Sequence, residues 1–315
     1  MVGQSDLPFR LLCRRYGADV AYTEMFYSDR IVNDPSYLPS VLHTHPEDTP
    51  LVIQLCGNDP DTVTAAALKC EDRCNAIDIN LGCPQKRAED GLFGAYLLDK
   101  KHWPRVFAVV ESLSKNLTVP VFCKIRLCNL PKESIELAQG LEKAGCACLA
   151  VHGRKRGSQR NRRQGPADLG AIRTIREALT IPVIANGNVR TYADVQANRR
   201  FCSCEGIMSA EGVLGNPAIF STSEKGKPRW LADIVGEYLD LCEVLDREGK
   251  WQLDMECIRA HFRWFLGKSG HGQSTRFKYL GNFKHHGALY EDLQKAVCIE
   301  DFRTIAHVCL EKIRA

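Results

Sequence analysis

A cysteine placed just after a strand-like run could act as an acid or a nucleophile. Along residues 77–81 apolar side chains alternate with Asp78 and Asn80, and Cys83 and Pro84 follow. This alternation predicts a short strand with an apolar back and a polar front, which Pro84 ends. Cys83 would then lie on the loop at the strand's carboxyl end, where parallel α/β folds place their chemistry. The alternative is a buried structural cysteine, since the chain has 15 cysteines and most of them must be inert.

Further polar side chains stand where other strand-like runs end. They are Gln54, Lys124, Arg126, His152, Arg154 and the turn Asn186-Gly187-Asn188. Each alone has an ordinary structural explanation, such as a lysine that reaches the rim or a hydrogen-bonded interior histidine. Because the carboxyl ends of parallel strands meet at one edge, we expect these groups to converge with Cys83 on one site.

Two turns rich in small residues indicate a phosphate site. One is the Asn186-Gly187-Asn188 turn, and the other, at residues 209–212, contains Ala210 and Glu211. Barrels often bind a phosphate after their last strands, through backbone N–H groups and a helix N-terminus. A phosphate at one side, with Lys124 across the mouth, describes a phosphorylated flat cofactor, and FMN fits. The alternative is a sugar-phosphate substrate with no flavin.

With a flavin in place, the thiol would have a definite task. If hydride reaches a carbon conjugated to a carbonyl group, an acid must protonate the neighbouring carbon, and Cys83 could be that general acid. Lys124 near the N1–C2=O edge would stabilise the anionic reduced flavin. His152 and Arg154 could hold the carbonyl oxygens as negative charge develops on them.

The elements that must position these groups alternate in type. Strand-like runs cover residues 19–25, 51–55, 76–81, 121–126, 148–152, 183–186 and 206–209. Helical patterns between them cover residues 61–73, 103–116, 132–144, 168–178 and 191–198. Strand alternating with helix, without hairpin turns, predicts a parallel sheet.

We expect this sheet to form a (β/α)8 TIM barrel whose first strand lies before Met1. A helix already begins near Leu7, with Ser5 or Asp6 as its N-cap, and no strand precedes it. The alternative is a doubly wound sheet. That fold would want a Gly-x-Gly-x-x-Gly turn after its first strand, and the sequence has none there.

The alternation of strand and helix patterns ends after Phe220. Helical patterns alone follow, at residues 230–245, 253–266, 275–283, 290–296 and 299–313. This predicts a small all-helical domain at residues 229–315, beside a barrel domain at residues 1–222.

Composition bounds the remaining classes. Hydrophobic residues make up 44% and charged residues 25% of the chain, as in ordinary globular proteins. Without a run of about 18 apolar residues or a signal peptide, we expect no membrane span. We expect free thiols in the reducing cytoplasm or nucleus, because the scattered cysteines come without a secretory signal. We expect no metal site, because the cysteines lack zinc-ribbon spacing. We also expect a monomer. A net charge of +4 permits a polyanionic partner without demanding one.

Several short motifs carry a resemblance to one family. They are Asn80-Leu81-Gly82-Cys83-Pro84-Gln85, Gly91-x-Phe93-Gly94-Ala95-x-Leu97, Met1-Val2-x-x-Ser5-Asp6, Gln54-Leu55, Lys124-Ile125-Arg126, Val151-His152-Gly153-Arg154 and Ala185-Asn186-Gly187-Asn188. Together they resemble the tRNA-dihydrouridine synthases across nearly all of the chain. Residues 208–212 with Asn216-Pro217 resemble the eukaryotic subgroup that reduces U16 and U17 of the D-loop.

The resemblance implies an FMN-dependent reduction of the uridine C5=C6 bond in tRNA that consumes NAD(P)H. Hydride would go to C6, and Cys83 would give a proton to C5. FMN contacts would fall on Met1, Gln54, Lys124, His152, Asn186, Gly187, Asn188, Ala210 and Glu211. We assign substrate contacts to Asn80, Arg126 and Arg154. Since a carboxylate repels phosphate, we expect backbone N–H groups to make the contact at Glu211, with its side chain turned away.

The resemblance also implies that the C-terminal helices bind tRNA. A uridine must leave its stack to be reduced, so basic residues near the mouth would contact phosphates. The candidates on one loop are Lys155, Arg156, Arg160, Arg162 and Arg163, and Arg259 and Arg263 would form part of a second patch. Two other hypotheses stay open: a flavin barrel that reduces a free pyrimidine or another small enone, and a non-catalytic RNA-binding relative.

Overall fold

Seven strands in sequence order form the sheet of this protein. The computed structural model describes residues 2–157, 165–221, 231–265 and 286–314. The strands are β1 (Ala21–Tyr27), β2 (Leu51–Cys56), β3 (Ala76–Leu81), β4 (Val121–Leu127), β5 (Cys148–Lys155), β6 (Val183–Asn186) and β7 (Gly206–Met208). Their order across the sheet is β1 to β7, and each pairing from β2 to β7 is parallel.

Helices follow most of the strands. In the sheet region they are α2 (Ser28–Asn33), α3 (Tyr37–Val41), α4 (Pro60–Leu68), α5 (Lys86–Asp90), α6 (Trp103–Asn116), α7 (Pro131–Lys143), α8 (Leu169–Glu177) and α9 (Tyr192–Cys202). The remaining helices are α1 (Leu7–Arg15), α10 (Glu211–Gly215), α11 (Leu231–Arg247), α12 (Met255–Phe265), α13 (His286–Lys295) and α14 (Ile299–Arg314). Short 3₁₀ turns cover Glu71–Arg73, Gly94–Leu98 and Lys100–His102.

The strand order confirms the predicted barrel-type α/β fold. A doubly wound sheet would reverse its strand order part way, whereas here every strand lies beside its neighbour in sequence. Local residue types account for two helix ends. The Asp59 carboxylate accepts from the Thr62 N–H at 2.9 Å, and Gly145 adopts φ +103° just after α7. Aspartate is a favoured N-cap, and glycine readily takes the left-handed conformation that ends a helix.

The segment after Cys83, where the sequence pattern predicts no helix, is helical. It forms the short helix α5, in which Lys86 pairs with Glu89 at 3.5 Å and Asp90 at 2.5 Å. Ion pairs at these spacings support a helical turn, but a helix of five residues is too short to show a periodic pattern in the sequence. The predicted helix at residues 275–283 lies outside the described residues.

The two faces of the sheet differ in chemistry. One face packs against the flanking helices in a continuous apolar core. The strand residues in that core are Ile53, Leu55, Ile77, Ile79, Cys123, Ile125, Leu149, Val151, Val183 and Ala185. The helices contribute residues such as Val106, Val110 and Leu137. Because strand side chains alternate, the residues between these must face the other way.

The described chain divides into two compact units. The sheet unit comprises Tyr22–Leu42 and Thr49–Ser209. The helical unit comprises Met1–Ala21, His43–Asp48 and Ala210–Ala315. Within the helical unit, Leu7 and Leu12 of α1 share a buried apolar cluster with Tyr238 and Phe262. The domain boundary near residue 222 stays a prediction.

Asp6 precedes α1 as predicted, but its side chain does not cap that helix. Its carboxylate instead lies 2.5 Å from the Nε2 atom of His261 and accepts from the Tyr238 hydroxyl at 3.0 Å. His261 is fully buried and stacks on Phe9, with ring centroids 4.4 Å apart. A buried carboxylate without a charged or hydrogen-bond-donating partner costs more free energy than an uncapped helix N-terminus. Asp6 therefore pairs with His261 and Tyr238 instead of capping α1.

Candidate functional site

The second face of the sheet is polar, and strand register brings its side chains together. Asn80 of β3 pairs with Lys124 of β4. Further along the same face, Arg126 of β4 pairs with His152 of β5, and His152 pairs with Asn186 of β6. The structure therefore groups side chains from four neighbouring strands that the sequence separates by up to about a hundred residues.

Cys83 lies at the carboxyl end of β3, half-buried, with its backbone held by two hydrogen bonds. Its N–H donates to the Asn80 Oδ1 atom at 2.8 Å, and its carbonyl oxygen accepts from the Ala95 N–H at 3.0 Å. Gly94, at φ +62°, lies so close that a Cβ there would stand 2.9 Å from the Cys83 Cβ. These contacts fix the backbone position from which the Cys83 side chain extends.

A hydrogen-bonded chain runs from Asp78 to the Cys83 loop. The Nε2 group of Gln54 donates to Asp78 Oδ2 at 2.8 Å, and Asn80 Nδ2 donates to Gln54 Oε1 at 2.7 Å. Asn80 Oδ1 then accepts from the N–H groups of Gly82 and Cys83. Asn80, predicted to contact substrate, thus spends both ends of its amide on protein groups.

Burial shifts the two charged groups in the centre of this face in opposite directions. Desolvation raises the pKa of Asp78, while the Gln54 hydrogen bond and the Lys124 charge oppose the rise. Desolvation lowers the pKa of Lys124 and Arg126 adds to this, while Asp78 and Cys83 act in the opposite sense. The ammonium is therefore a poorly hydrated cation within electrostatic reach of the thiol.

The Arg126 side chain links the carboxyl ends of β3 and β5 by hydrogen bonds. Its Nε donates to the Gly82 carbonyl at 2.8 Å, and its Nη1 donates to the Lys155 carbonyl at 3.1 Å. The side chain is 7% exposed. The guanidinium that the sequence assigns to substrate thus donates to the backbone carbonyl just before Cys83 and to the one at the end of β5.

His152 and Arg154 meet, and a third side chain holds them in place. Arg154 Nη1 lies 3.0 Å from His152 Nε2, and Arg154 Nη2 donates to Asn188 Oδ1 at 3.0 Å. A guanidinium can only donate, so His152 Nε2 must accept and the ring must be neutral with its proton on Nδ1. Asn188, at φ +57°, also bonds the backbone of Ala167 in both directions.

The turn after β6 requires its glycine. Gly187 adopts φ +120°, and a Cβ there would come within 2.6 Å of the Ala167 Cβ. Beside it, Asn186 Nδ2 donates to the Met208 carbonyl at 2.9 Å, and Asn198 Nδ2 donates to the Gly187 carbonyl at 3.0 Å. The predicted phosphate turn therefore has a fixed shape.

The remaining predicted site residues are Ala210, Glu211 and Met1. Ala210 precedes the five-residue helix α10, which begins at Glu211, and both belong to the helical unit. Met1 lies outside the described residues. These positions stay predictions.

The described part of the basic loop is bound to the protein. Lys155 donates to the Asn129 carbonyl at 2.8 Å, and Arg156 lies over the Tyr96 ring at 4.7 Å. Arg160, Arg162 and Arg163 lie outside the described residues.

In the helical unit, Arg259 is 7% exposed. It donates to the Leu293 and Ala296 carbonyls at the end of α13. The sequence was therefore wrong to place Arg259 in a surface patch, because helical spacing alone cannot tell which face is buried.

Two residues at this site escaped the sequence assignment. Asp78 shares the polar front of β3 with Asn80, and that alternation was the signal that could have included it. Gly94 lies 11 positions after Cys83, in the motif that follows it. Its role depends on a close approach that no local pattern shows.

Comparison with known proteins identifies similar chains. Residues 1–301 match the family model described as "Dihydrouridine synthase (Dus)". The "tRNA-dihydrouridine(16/17) synthase [NAD(P)(+)]-like" of Rattus norvegicus is 42% identical over 243 residues, which is 76% of this chain and 54% of that protein. The "tRNA-dihydrouridine(16/17) synthase [NAD(P)(+)]" of Saccharomyces cerevisiae is 38% identical over 272 residues, 83% of this chain and 63% of that protein. This chain thus spans about half the length of its rodent relatives.

A solved structure supports the fold. The "2.1 A resolution structure of histamine dehydrogenase from Rhizobium sp. 4-9" aligns with a TM-score of 0.52 at 13% identity, and covers 74% of this chain and 46% of that one. In the described part of the chain, no helix is long and apolar enough to cross a membrane.

Proposed function

We propose that this chain, which belongs to the dihydrouridine synthase family, reduces the C5=C6 bond of a uridine in tRNA to 5,6-dihydrouridine. The reductant is NAD(P)H, and the target is U16 or U17 of the D-loop, as in the names of the rodent and yeast relatives. One observation carries the proposal. A cysteine whose backbone is held by two hydrogen bonds stands at the strand edge from which Lys124 and His152 also project.

The donor set on the polar face fits FMN as the cofactor. Lys124 is partly buried, and no hydrogen bond or ion pair engages its ammonium within the part of the chain that the structure describes. An ammonium of this kind suits the electron-rich edge of a flavin ring. The residues that would hold the cofactor are Gln54, Lys124, His152, Asn186, Gly187 and Asn188, together with Met1, Ala210 and Glu211. When bound, the flavin supplies the hydride for C6.

The protein's own groups supply charge and a proton. Lys124 stabilises negative charge more strongly than a fully exposed lysine would, because its partial burial reduces its hydration. His152 accepts from the Arg154 guanidinium at Nε2, 3.0 Å away, and this contact sets the tautomer with the proton on Nδ1. Cys83 holds a proton on Sγ and delivers it to uracil C5, so that its S–H bond breaks and a thiolate remains. With hydride added to C6, the C5=C6 double bond becomes a single bond with one new C–H bond at each carbon.

The direct test measures dihydrouridine in tRNA. Purified chain is incubated with NADPH or NADH and tRNA that lacks dihydrouridine, and the product nucleoside is quantified by mass spectrometry. We expect Cys83→Ala to lose at least about 100-fold in rate, within the range that general acids contribute. Cys74→Ala is the matched control, because Cys74 is also half-buried but precedes β3 instead of following it. Equal losses in both variants would refute the role of Cys83.

The same assay separates the two other hypotheses. Reduction of free uridine at a rate equal to that of tRNA, without competition by bulk tRNA, would indicate a small-molecule reductase. A chain that binds tRNA but holds no flavin absorbance would indicate a non-catalytic RNA-binding relative.

We also propose that the C-terminal helices at residues 229–315 bind tRNA beside a barrel domain at residues 1–222, and that the enzyme acts as a monomer in the cytoplasm or nucleus. A full-length chain in which the exposed basic residues Arg247, Lys250 and Lys295 are replaced by alanine should bind tRNA more weakly while flavin absorbance is kept. Light scattering reports the mass in solution. A stable dimer that dissociates with loss of activity would contradict the monomer.

A further inference from the structure

We propose that Asp78 is a positioning residue for the Cys83 loop. Through its hydrogen bond to Gln54, and from there through Asn80, it sets the orientation of the two side-chain amides, and that orientation holds the loop. The proposal rests on the proposed function for the role of the thiol, but it concerns the loop itself. Asp78 touches neither the thiol nor the loop in any described contact, and it acts through two intervening amides.

The direction of the chain starts at the carboxylate. Burial raises the pKa of Asp78 to about 7, so the carboxyl is ionised above neutral pH. In that form it accepts hydrogen bonds and donates none, so the group of Gln54 facing Asp78 must be its NH₂. Gln54 Oε1 then faces Asn80 and accepts from its NH₂ at 2.7 Å. That leaves Asn80 Oδ1 for the loop, where it accepts from Cys83 N–H at 2.8 Å and Gly82 N–H at 3.0 Å.

The opposite direction would release the loop. If Gln54 turned over, its NH₂ would face the NH₂ of Asn80, and Asn80 would have to turn over as well. Its NH₂ would then face the N–H groups of Gly82 and Cys83, and donors facing donors form no hydrogen bond. The substitution Asp78→Asn permits both orientations of the Gln54 and Asn80 amides, whereas the ionised carboxylate permits only one.

The surroundings of Asp78 suit this task. The residue is fully buried, and β2–β3 register places Gln54 directly opposite it. Its Oδ1 atom has no hydrogen-bond partner in the described part of the chain, so Gln54 is its one hydrogen-bonded neighbour there. Desolvation makes such a charge costly, and Lys124 offsets part of that cost. A costly buried charge whose one hydrogen bond leads to the reactive loop is best explained by the order it imposes there.

The test measures the reactivity of the Cys83 thiol. Wild type, Asp78→Asn, Gln54→Leu and the double variant are treated with iodoacetamide at a pH above the Asp78 pKa of about 7. The alkylation rate at Cys83 is followed by peptide mass spectrometry. We expect both single variants to react roughly five- to tenfold faster than wild type, the size expected when one hydrogen bond in a network is lost. The double variant should react no faster than Gln54→Leu, because Asp78 acts through Gln54.

Side-chain amide signals provide a second measurement. In ¹⁵N spectra, Asn80 should give one NH₂ pair in wild type and broadened or doubled signals in Asp78→Asn. The control is Ile77→Val, a neighbour on β3 whose side chain lies in the opposite, apolar core. It loses stability without touching the amide chain, so its Cys83 rate and Asn80 signals should match wild type.

Two results would overturn the proposal: an Asp78→Asn protein with wild-type alkylation and amide signals, or strictly additive effects in the double variant. If Asp78→Asn fails to fold, an unchanged rate in Gln54→Leu overturns the proposal by itself. Alkylation needs neither flavin nor tRNA, so it reads the loop even if wild type fails to reduce tRNA. In an active enzyme, the turnover number should fall about tenfold in Asp78→Asn.

Discussion

Gly94 lies directly against Cys83. A Cβ built on Gly94 would stand 2.7 Å from the Cys83 carbonyl oxygen and 2.9 Å from the Cys83 Cβ. The next residue, Ala95, donates its N–H to that same carbonyl at 3.0 Å. The loop that carries the thiol is therefore closed by a segment whose backbone comes as near as van der Waals contact allows.

The change Gly94→Ala should displace Cys83. The variant combines a clash with an unfavourable φ of +62°, so we expect a loss of about 2–3 kcal/mol in unfolding free energy and at least a tenfold loss in tRNA reduction. Denaturant titration and the dihydrouridine assay measure these. Gly249→Ala is the control, since Gly249 has φ +63° and nothing within 4 Å of a built Cβ. It should lose about 1 kcal/mol and keep its activity.

The change Arg126→Met should loosen two strand ends at once. It removes the donors to the Gly82 and Lys155 carbonyls, so we expect a loss of about 2–3 kcal/mol. Because the Arg126 charge helps to lower the pKa of Lys124, that pKa should rise toward its ordinary value of 10.5. NMR titration of the lysine side chain follows the shift. Arg126→Lys keeps the positive charge, so the pKa of Lys124 should stay low. The variant should still lose stability, because a lysine lacks the forked guanidinium that makes both hydrogen bonds.

The change Lys124→Met should raise the pKa of Asp78 further. Burial already raises that pKa, and the Lys124 charge opposes the rise, so its removal moves the midpoint upward. Carboxyl ¹³C titration of Asp78 measures this. tRNA reduction should fall by about 100-fold with the loss of the cation. Lys115→Met removes an exposed lysine paired with Glu111 and should change neither property. A downward shift at Asp78 would contradict the assignment of the Lys124 charge.

The change Asp6→Asn should show a pH-dependent cost. Burial alone would raise the pKa of Asp6, but the charge and hydrogen bond of His261, the Tyr238 hydroxyl and Arg10 together hold it below its ordinary 3.8. A lowered folded pKa contributes stability that is present above 3.8 and is lost as the pH falls through the folded value. We expect a deficit of about 3 kcal/mol against wild type at pH 7 that shrinks below pH 4. Unfolding at several pH values measures it, and a deficit that does not change with pH would refute the ion pair.

Much of the architecture follows from local pattern. The bounds of β3 and β6 agree with the alternation and composition of their residues, and α6 begins and ends where its helical pattern does. Alternation along β3 also assigns Ile77 to the core and Asn80 to the polar face. These features depend on neighbours a few residues apart, and short-range sterics and hydrophobic periodicity decide them.

The use of each polar side chain was decided by tertiary structure. Sequence places Arg126 and Arg154 at strand ends, but register and loop closure turn the first toward the Gly82 carbonyl and the second toward His152. Asp6 has the sequence of an N-cap and pairs with His261, 255 residues away. Hydrogen-bond partners far apart in the chain depend on strand register and on how loops return, and local periodicity carries no information about either.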